Sequence, residues 1–249
     1  MKEKLVTVQL RSSIFLPQNI GYTPENATQF QELLGIADSK VYGIPQPGVP
    51  VLGVNPMTPQ FGMPWRLFKK YNDGYEYNVA FQPGKIDIVL AKQTAYLENI
   101  ETKFCEKSAE WFSNILDTQK GVTVQRIAYA PLYAIVKSKD DEGSELWNKL
   151  LKKIVYDGSP AQDIDLQFVL KKQISFNGKE IQMNLLHHFF DGNLTEGNGA
   201  TLVIRNVLLF QLDLNSVPER PLSLDKDGVS DFFNGIIDVK ESLIDNVDA

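Results

Sequence analysis

The chain has 249 residues, 43% of them hydrophobic and 22% charged, with a formal net charge of −6. That length and balance suit a soluble globular protein with a sizeable core, and short apolar runs such as "NVLLFQL" exclude a membrane-spanning helix. The single cysteine, Cys105, excludes an intrachain disulfide. The N-terminal "MKEKLVTVQL" lacks the apolar core and cleavage site of a signal peptide, so the expected compartment is the cytoplasm, with no membrane partner.

Residues 1–120 carry 12 Lys+Arg and 12 Asp+Glu, so the net charge of −6 lies wholly in residues 121–249. No basic block exceeds Lys-Lys, which disfavours nucleic acid as the main ligand, although folding can gather scattered lysines onto one surface.

In chain order, "LVTVQLRSSIFL" is rich in β-branched and apolar residues and predicts a strand. "TPENATQFQELLG" predicts a helix capped by Thr23, with Pro24 in its first turn and Gly35 stopping it. A Pro/Gly-rich stretch covers residues 43–64. "WRLFKKYNDGYEYNVAFQPGKIDIVLAK" predicts three strands, with tight turns at "NDG" and "QPGK". In "AYLENIETKFCEKSAEWFSNIL", Leu97, Ile100, Phe104, Ser108, Trp111 and Ile115 recur at helical spacing.

The second half starts with one strand over "VTVQRIAYAPLYAIVK". A helix follows at "SELWNKLLKKI", with Ser144 as cap and Leu146, Leu150, Leu151 and Ile154 as its apolar side. Three strands come next: "QDIDLQFVLKKQISF", "EIQMNLLHHFF" and "ATLVIRNVLLFQLDL". The closing segment places Val229, Phe232, Phe233, Ile236, Ile237, Leu243 and Ile244 on one helical stripe.

Both halves read strand, helix, three strands, helix, and each opens on "VTVQ", at residues 6–9 and 122–125. The expected class is α+β: two pseudo-repeats, residues 1–120 and 121–249, forming a mostly antiparallel sheet with long helices packed on one face. Two such units joined edge to edge would remove two exposed sheet edges.

The run from "PWRLFKKYNDGYEYNVAFQPGKIDIVLA" through the long helix to "VQRIAYAPLYAIV", with the later "LLFQLDLNSVPERP", resembles a known bacterial group. This is the sporadically distributed α+β family that carries an "RIGLRYIN"-like strand after a long helix. Arg126, Ile127 and Ala128 fit that strand, while Ala130 and Tyr133 stand where the family tends to have Arg and Asn. The family has no established activity or catalytic residues to carry over. Its patchy distribution implies accessory genes of mobile elements or anti-phage systems.

Candidate chemistry is sparse. His187 and His188 are adjacent in a predicted strand, so they face opposite ways and cannot jointly chelate a metal. Cys105 lies beside the apolar stripe of its helix and reads as core filler. Asp163 and Asp165 share one strand face and read as solvated. "DGNLTEGNG" reads as a hairpin loop, since Leu202 stands where the bidentate glutamate of a calcium loop would fall. No phosphate-cradling motif or nucleophile elbow occurs.

Arg126 and Arg205 sit in apolar strands, where a guanidinium needs a carboxylate or a ligand; Asp213 and Asp87 are the candidate partners. The apolar Pro/Gly stretch offers Tyr42, Ile44, Val51, Leu52 and Phe61 as an interaction surface, or as a cover for its own sheet edge. The leading expectation is a binding or assembly protein, without catalysis or cofactor, that contacts a protein partner or its own copies. The alternative is a sensor binding a small anionic ligand between the pseudo-repeats near Arg126 or Arg205. A metal-dependent enzyme using Asp163 and Asp165 is the third reading.

Overall fold

The computed structural model describes residues 5–45, 57–92, 96–135, 165–196 and 203–245. The first half holds β1 (Leu5–Phe15), α1 (Pro24–Leu33), β2 (Lys40–Gly43), β3 (Trp65–Lys70), β4 (Tyr75–Gln82), β5 (Lys85–Lys92) and α2 (Glu101–Thr118). The second holds β6 (Arg126–Tyr129), β7 (Leu132–Ile135), β8 (Asp165–Phe176), β9 (Lys179–Glu196), β10 (Val203–Ser216) and α3 (Lys226–Asp245). The helix expected at "SELWNKLLKKI" lies outside the described residues. The class is α+β.

All ten strands belong to one sheet, ordered β2-β3-β4-β5-β1-β6-β10-β9-β8, and β7 shares the place of β6 between β1 and β10. Every described pairing is antiparallel. The two halves therefore meet where β1 pairs with β6 and β7.

Local chemistry explains much of this. The Thr23 hydroxyl accepts from the Asn26 N–H, 3.0 Å away, and Gly35 leaves α1 at φ +65°. Gly74 and Gly84, at φ +87° and +66°, turn the β3–β4 and β4–β5 hairpins. Asn177 and Gly178 both take positive φ, and this Asn-Gly pair closes the β8–β9 hairpin.

Three expectations need correction. The strand expected over "VTVQRIAYAPLYAIVK" is broken at Ala130 and Pro131, because Pro131 has no N–H to give the ladder. Here the Ala130 N–H donates to the Arg11 carbonyl and the Leu212 N–H to that of Pro131. β1 answers the break with an irregularity between Thr7 and Gln9. Next, Leu97 and Ile100 precede α2 instead of belonging to it: Leu97 bridges Thr7, and Asn99 takes φ 49°. Finally, "DGNLTE" is strand, since β9 runs on to Glu196. The copies of "VTVQ" also differ in setting: the first lies inside β1, the second ahead of β6, where Val124 bridges Leu224.

The core is a belt of aromatic rings. Phe30 of α1 lies 6.2 Å from Trp65 and 5.0 Å from Phe81 between ring centres. Phe104 of α2 meets Tyr77 and Tyr129, and Phe232 of α3 meets Phe176 at 4.9 Å. α2 and α3 run antiparallel: Lys226 pairs with Asp117 at one end and Lys240 with Glu101 at the other. Phe112 stacks on Phe233 at 5.3 Å between them. Burying each such ring contributes roughly 1.5–3 kcal/mol. Among the described residues no helix is long and apolar enough to cross a membrane.

Candidate functional site

Side chains alternate along each strand, so the sheet has two faces of different character. In β1, Leu10, Ser12 and Ile14 share the face of the ring belt, while Arg11, Ser13 and Phe15 point to the other, the back face.

On the belt side of the central seam, one carboxylate organises a polar cluster. Glu101, in the first turn of α2, accepts from the Thr7 hydroxyl of β1 at 2.8 Å and the Lys240 ammonium of α3 at 2.5 Å. It also accepts from the Tyr129 and Tyr133 hydroxyls of β6 and β7, at 3.4 and 3.3 Å. Burial, with the nearby Glu101 charge, holds both phenols well above their ordinary pKa, so they remain donors. Burial likewise raises the Cys105 thiol, which removes the thiolate that a nucleophile requires. A cleft of about 500 Å³ opens beside this cluster, lined in part by Thr7, Asn99, Glu101 and Lys240.

The back face differs. One row of pairing partners crosses the whole sheet: Tyr42, Arg66, Ala80, Asp87, Ser13, Ala128, Asn215, Asn184 and Lys171. Its middle is lined by small or short side chains: Ala80, Asp87, Ser13 and Ala128 are all buried. Arg11 stands one position along, opposite Val89. Arg126 stands opposite Phe15, one position the other way.

Polar satisfaction fails here. The Nε atoms of Arg11, Arg66 and Arg126 and the Oδ1 atoms of Asn78 and Asn184 are solvent-inaccessible and lack a hydrogen-bond partner. Among the described residues the other two such atoms, on Ser12 and Ser108, are hydroxyls on the belt side. Arg66 lies over the Tyr42 ring at 5.6 Å and Arg126 over Phe15 at 4.7 Å. Arg11, half-buried at the seam, has no side-chain partner among the described residues. Leaving a buried donor unmet costs about 1–3 kcal/mol, and more for a charged group.

The predicted site residues are dispersed. Arg126 is on this face and reaches Asn215 at 3.5 Å; Asn215 in turn donates to Asp213 at 3.0 Å. Asp87, the other expected partner, is taken by Ser13, Gln82 and Lys85. Arg205 pairs with Leu194 in backbone register, ten positions along β10 from Asn215, or roughly 33 Å at strand rise. The structure thus does not bring Arg126 and Arg205 together. Its side chain lies outside the described set.

Tyr42 sits beneath Arg66 and beside Phe68. Ile44 is half-buried, its N–H bonded to the Pro64 carbonyl at 3.0 Å. Val51 and Leu52 lie outside the described residues, and Phe61 is 78% exposed. His187 is buried in a stack with Phe168 and Phe210, whereas His188 faces the other way and meets Asp165 at 2.6 Å. Asp163 is outside the described residues, among which no cluster of three His, Cys, Asp or Glu is placed to hold a metal.

Sequence reading missed Arg11. The signal was present, since it interrupts the apolar "LVTVQLRSSIFL" as Arg126 interrupts "VQRIAY". No protein-family model matches the chain, and no curated protein matches it in sequence.

Proposed function

We propose that the chain is a binding protein that senses a small anionic ligand on the back face at the seam, with Arg11 as its principal contact. One observation carries this: a half-buried guanidinium with no partner among the described residues, on the strand that joins the two halves. A cation so placed is stabilised by a carboxylate or phosphate, whose oxygens match its donor fork. The sheet order supports the two-repeat reading. From the seam outward it runs β1-β5-β4-β3 in one half, with β2 as an added outer strand, and β6/β7-β10-β9-β8 in the other, and α2 and α3 each follow the last of these strands in the chain. A ligand held at Arg11 and Arg126 touches both units and couples them.

Thermal unfolding with pyrophosphate and with small dicarboxylates, at constant ionic strength, tests the reading. At least one anion raises the midpoint for the wild type and not for Arg11→Ala. No shift with any of them removes the reading.

A second reading, assembly with a protein partner or a second copy, is favoured by the exposed Phe61 and by Phe168, Val169 and Leu170 on the outer strand β8. The segment bearing Phe61 is pinned, with Gly62 donating to the Tyr22 carbonyl at 2.7 Å and Tyr22 to that of Met63 at 3.0 Å. Native mass spectrometry should then give a multiple of the chain mass that Phe61→Ser with Leu170→Ser reduces; a monomer throughout argues against it. An accessory role in a mobile-element or anti-phage system is proposed on the family resemblance alone.

A further inference from the structure

The back face carries more cations than one small anion can use. Arg11, Arg66, Arg126, Lys40, Lys70, Lys85 and Lys171 all occupy back-face register positions. The acids at back-face register positions are Glu76, Asp87, Asp165, Glu180, Glu196 and Asp213. Lys70 neutralises Glu76 at 3.1 Å, Lys85 neutralises Asp87 at 2.8 Å, and Asp165 lies against His188. Arg11, Arg66, Arg126, Lys40 and Lys171 have no ion-pair partner among the described residues. On a chain of net charge −6, folding has gathered onto one surface cations that the sequence scatters.

Spacing decides what such a surface can hold. Four strand steps separate β3 from β6, and at about 4.8 Å per step Arg66 and Arg126 stand roughly 19 Å apart at their backbones. Three further steps reach Lys171 on β8. A lone anion at Arg11 leaves both flanks unmet, whereas a chain with regularly repeated charge engages all of them. Guanidinium groups favour phosphate oxygens through paired donors. The nearby rings are already engaged: Phe15 carries Arg126 at 4.7 Å and Lys85 at 5.4 Å, and Tyr42 carries Arg66. Recognition then runs through charge and not through stacked bases.

Building on the anion reading above, we infer that the ligand of the back face is an extended phosphate chain, either the phosphodiester backbone of single-stranded nucleic acid or an inorganic polyphosphate. It lies across the strands from Arg66 past Arg11 and Arg126 toward Lys171. Binding is independent of base sequence and sensitive to salt.

The test uses the full chain and fluorescence anisotropy of a labelled twelve-nucleotide oligothymidylate, with polyphosphate of similar length as competitor. Three phosphate contacts predict about a 20-fold loss of affinity between 50 and 200 mM salt. Arg66→Ala and Arg126→Ala should each weaken binding several-fold and lower the salt slope by about one contact. Tighter binding of the oligonucleotide names nucleic acid as the source, and tighter binding of the competitor names polyphosphate; both support the inference. It is overturned if neither binds at 50 mM salt, or if both variants bind as the wild type does. A pyrophosphate shift that still depends on Arg11 would in that event leave the small-anion reading standing, so the two failures are distinguishable.

Discussion

The two faces of the central seam use polar groups in opposite ways. On the belt side, Glu101 collects donors from Thr7, Tyr129, Tyr133 and Lys240, and the cluster is closed upon itself. On the back side, among the described residues, Arg11 has no partner, and Arg66 and Arg126 keep their Nε donors unmet. A satisfied buried network rigidifies what it connects, and here it ties β1, β6, β7, α2 and α3 at one point. An unsatisfied one costs stability until something else supplies the partner. The difference separates a structural tie from the surface proposed to bind an anion, although both lie on the same strands.

The largest expected effect is on the belt side. Phe112→Ala removes the ring stacked on Phe233 between α2 and α3 and should cost about 4 kcal/mol in denaturant unfolding. A loss under 1 kcal/mol would mean that the helices are not held as described. Tyr133→Phe deletes one of the donors to Glu101 and should cost about 1 kcal/mol. No measurable loss would show that the cluster has donors to spare, which would blur the contrast with the back face.

The adjacent histidines carry the same contrast into pH. Burial lowers the pKa of His187, with the Leu185 carbonyl opposing in part. The unfolded chain therefore takes up the proton more readily, and stability falls as pH drops below about 6.5, the ordinary histidine value. His187→Phe should flatten that slope between pH 7 and 5, measured by unfolding midpoints. An unchanged slope would place the acid sensitivity elsewhere. Smallest of all, Arg126→Ala should change stability by no more than about 0.5 kcal/mol, because the side chain offers only a 3.5 Å contact to Asn215 and its place over Phe15. A cost of 2 kcal/mol would make Arg126 a structural residue.

Features encoded within a few residues could be read from sequence. Thr23, Pro24 and Gly35 bound α1 because capping is local chemistry, and "NDG" and "QPGK" mark real hairpins for the same reason. The opposed burial of His187 and His188 follows from strand alternation alone. β2 escaped notice because "KVYG" is too short to show a period, and it gains its identity by pairing with β3. Pro131 announced the break between β6 and β7, but the apolar residues around it masked the signal. The Glu101 cluster joins positions 7, 101, 129, 133 and 240, and no local pattern links them. Arg126 stood out as a charge in an apolar strand, and the same rule applied to Arg11 would have found it. That Arg11 lacks a partner depends on register, which sets Val89 on one side and Ala130 on the other.

The most direct test of the contrast is equilibrium unfolding of Glu101→Gln and Arg11→Met, side by side and without added polyanion. Glu101→Gln strands the buried Lys240 ammonium and should lose about 3 kcal/mol. Arg11→Met removes an unmet charge while keeping its apolar stem, and should be as stable as the wild type or up to about 1 kcal/mol more stable. If Arg11→Met loses as much as Glu101→Gln, Arg11 is part of the fold's own support, and the back face is not a surface held ready for a ligand.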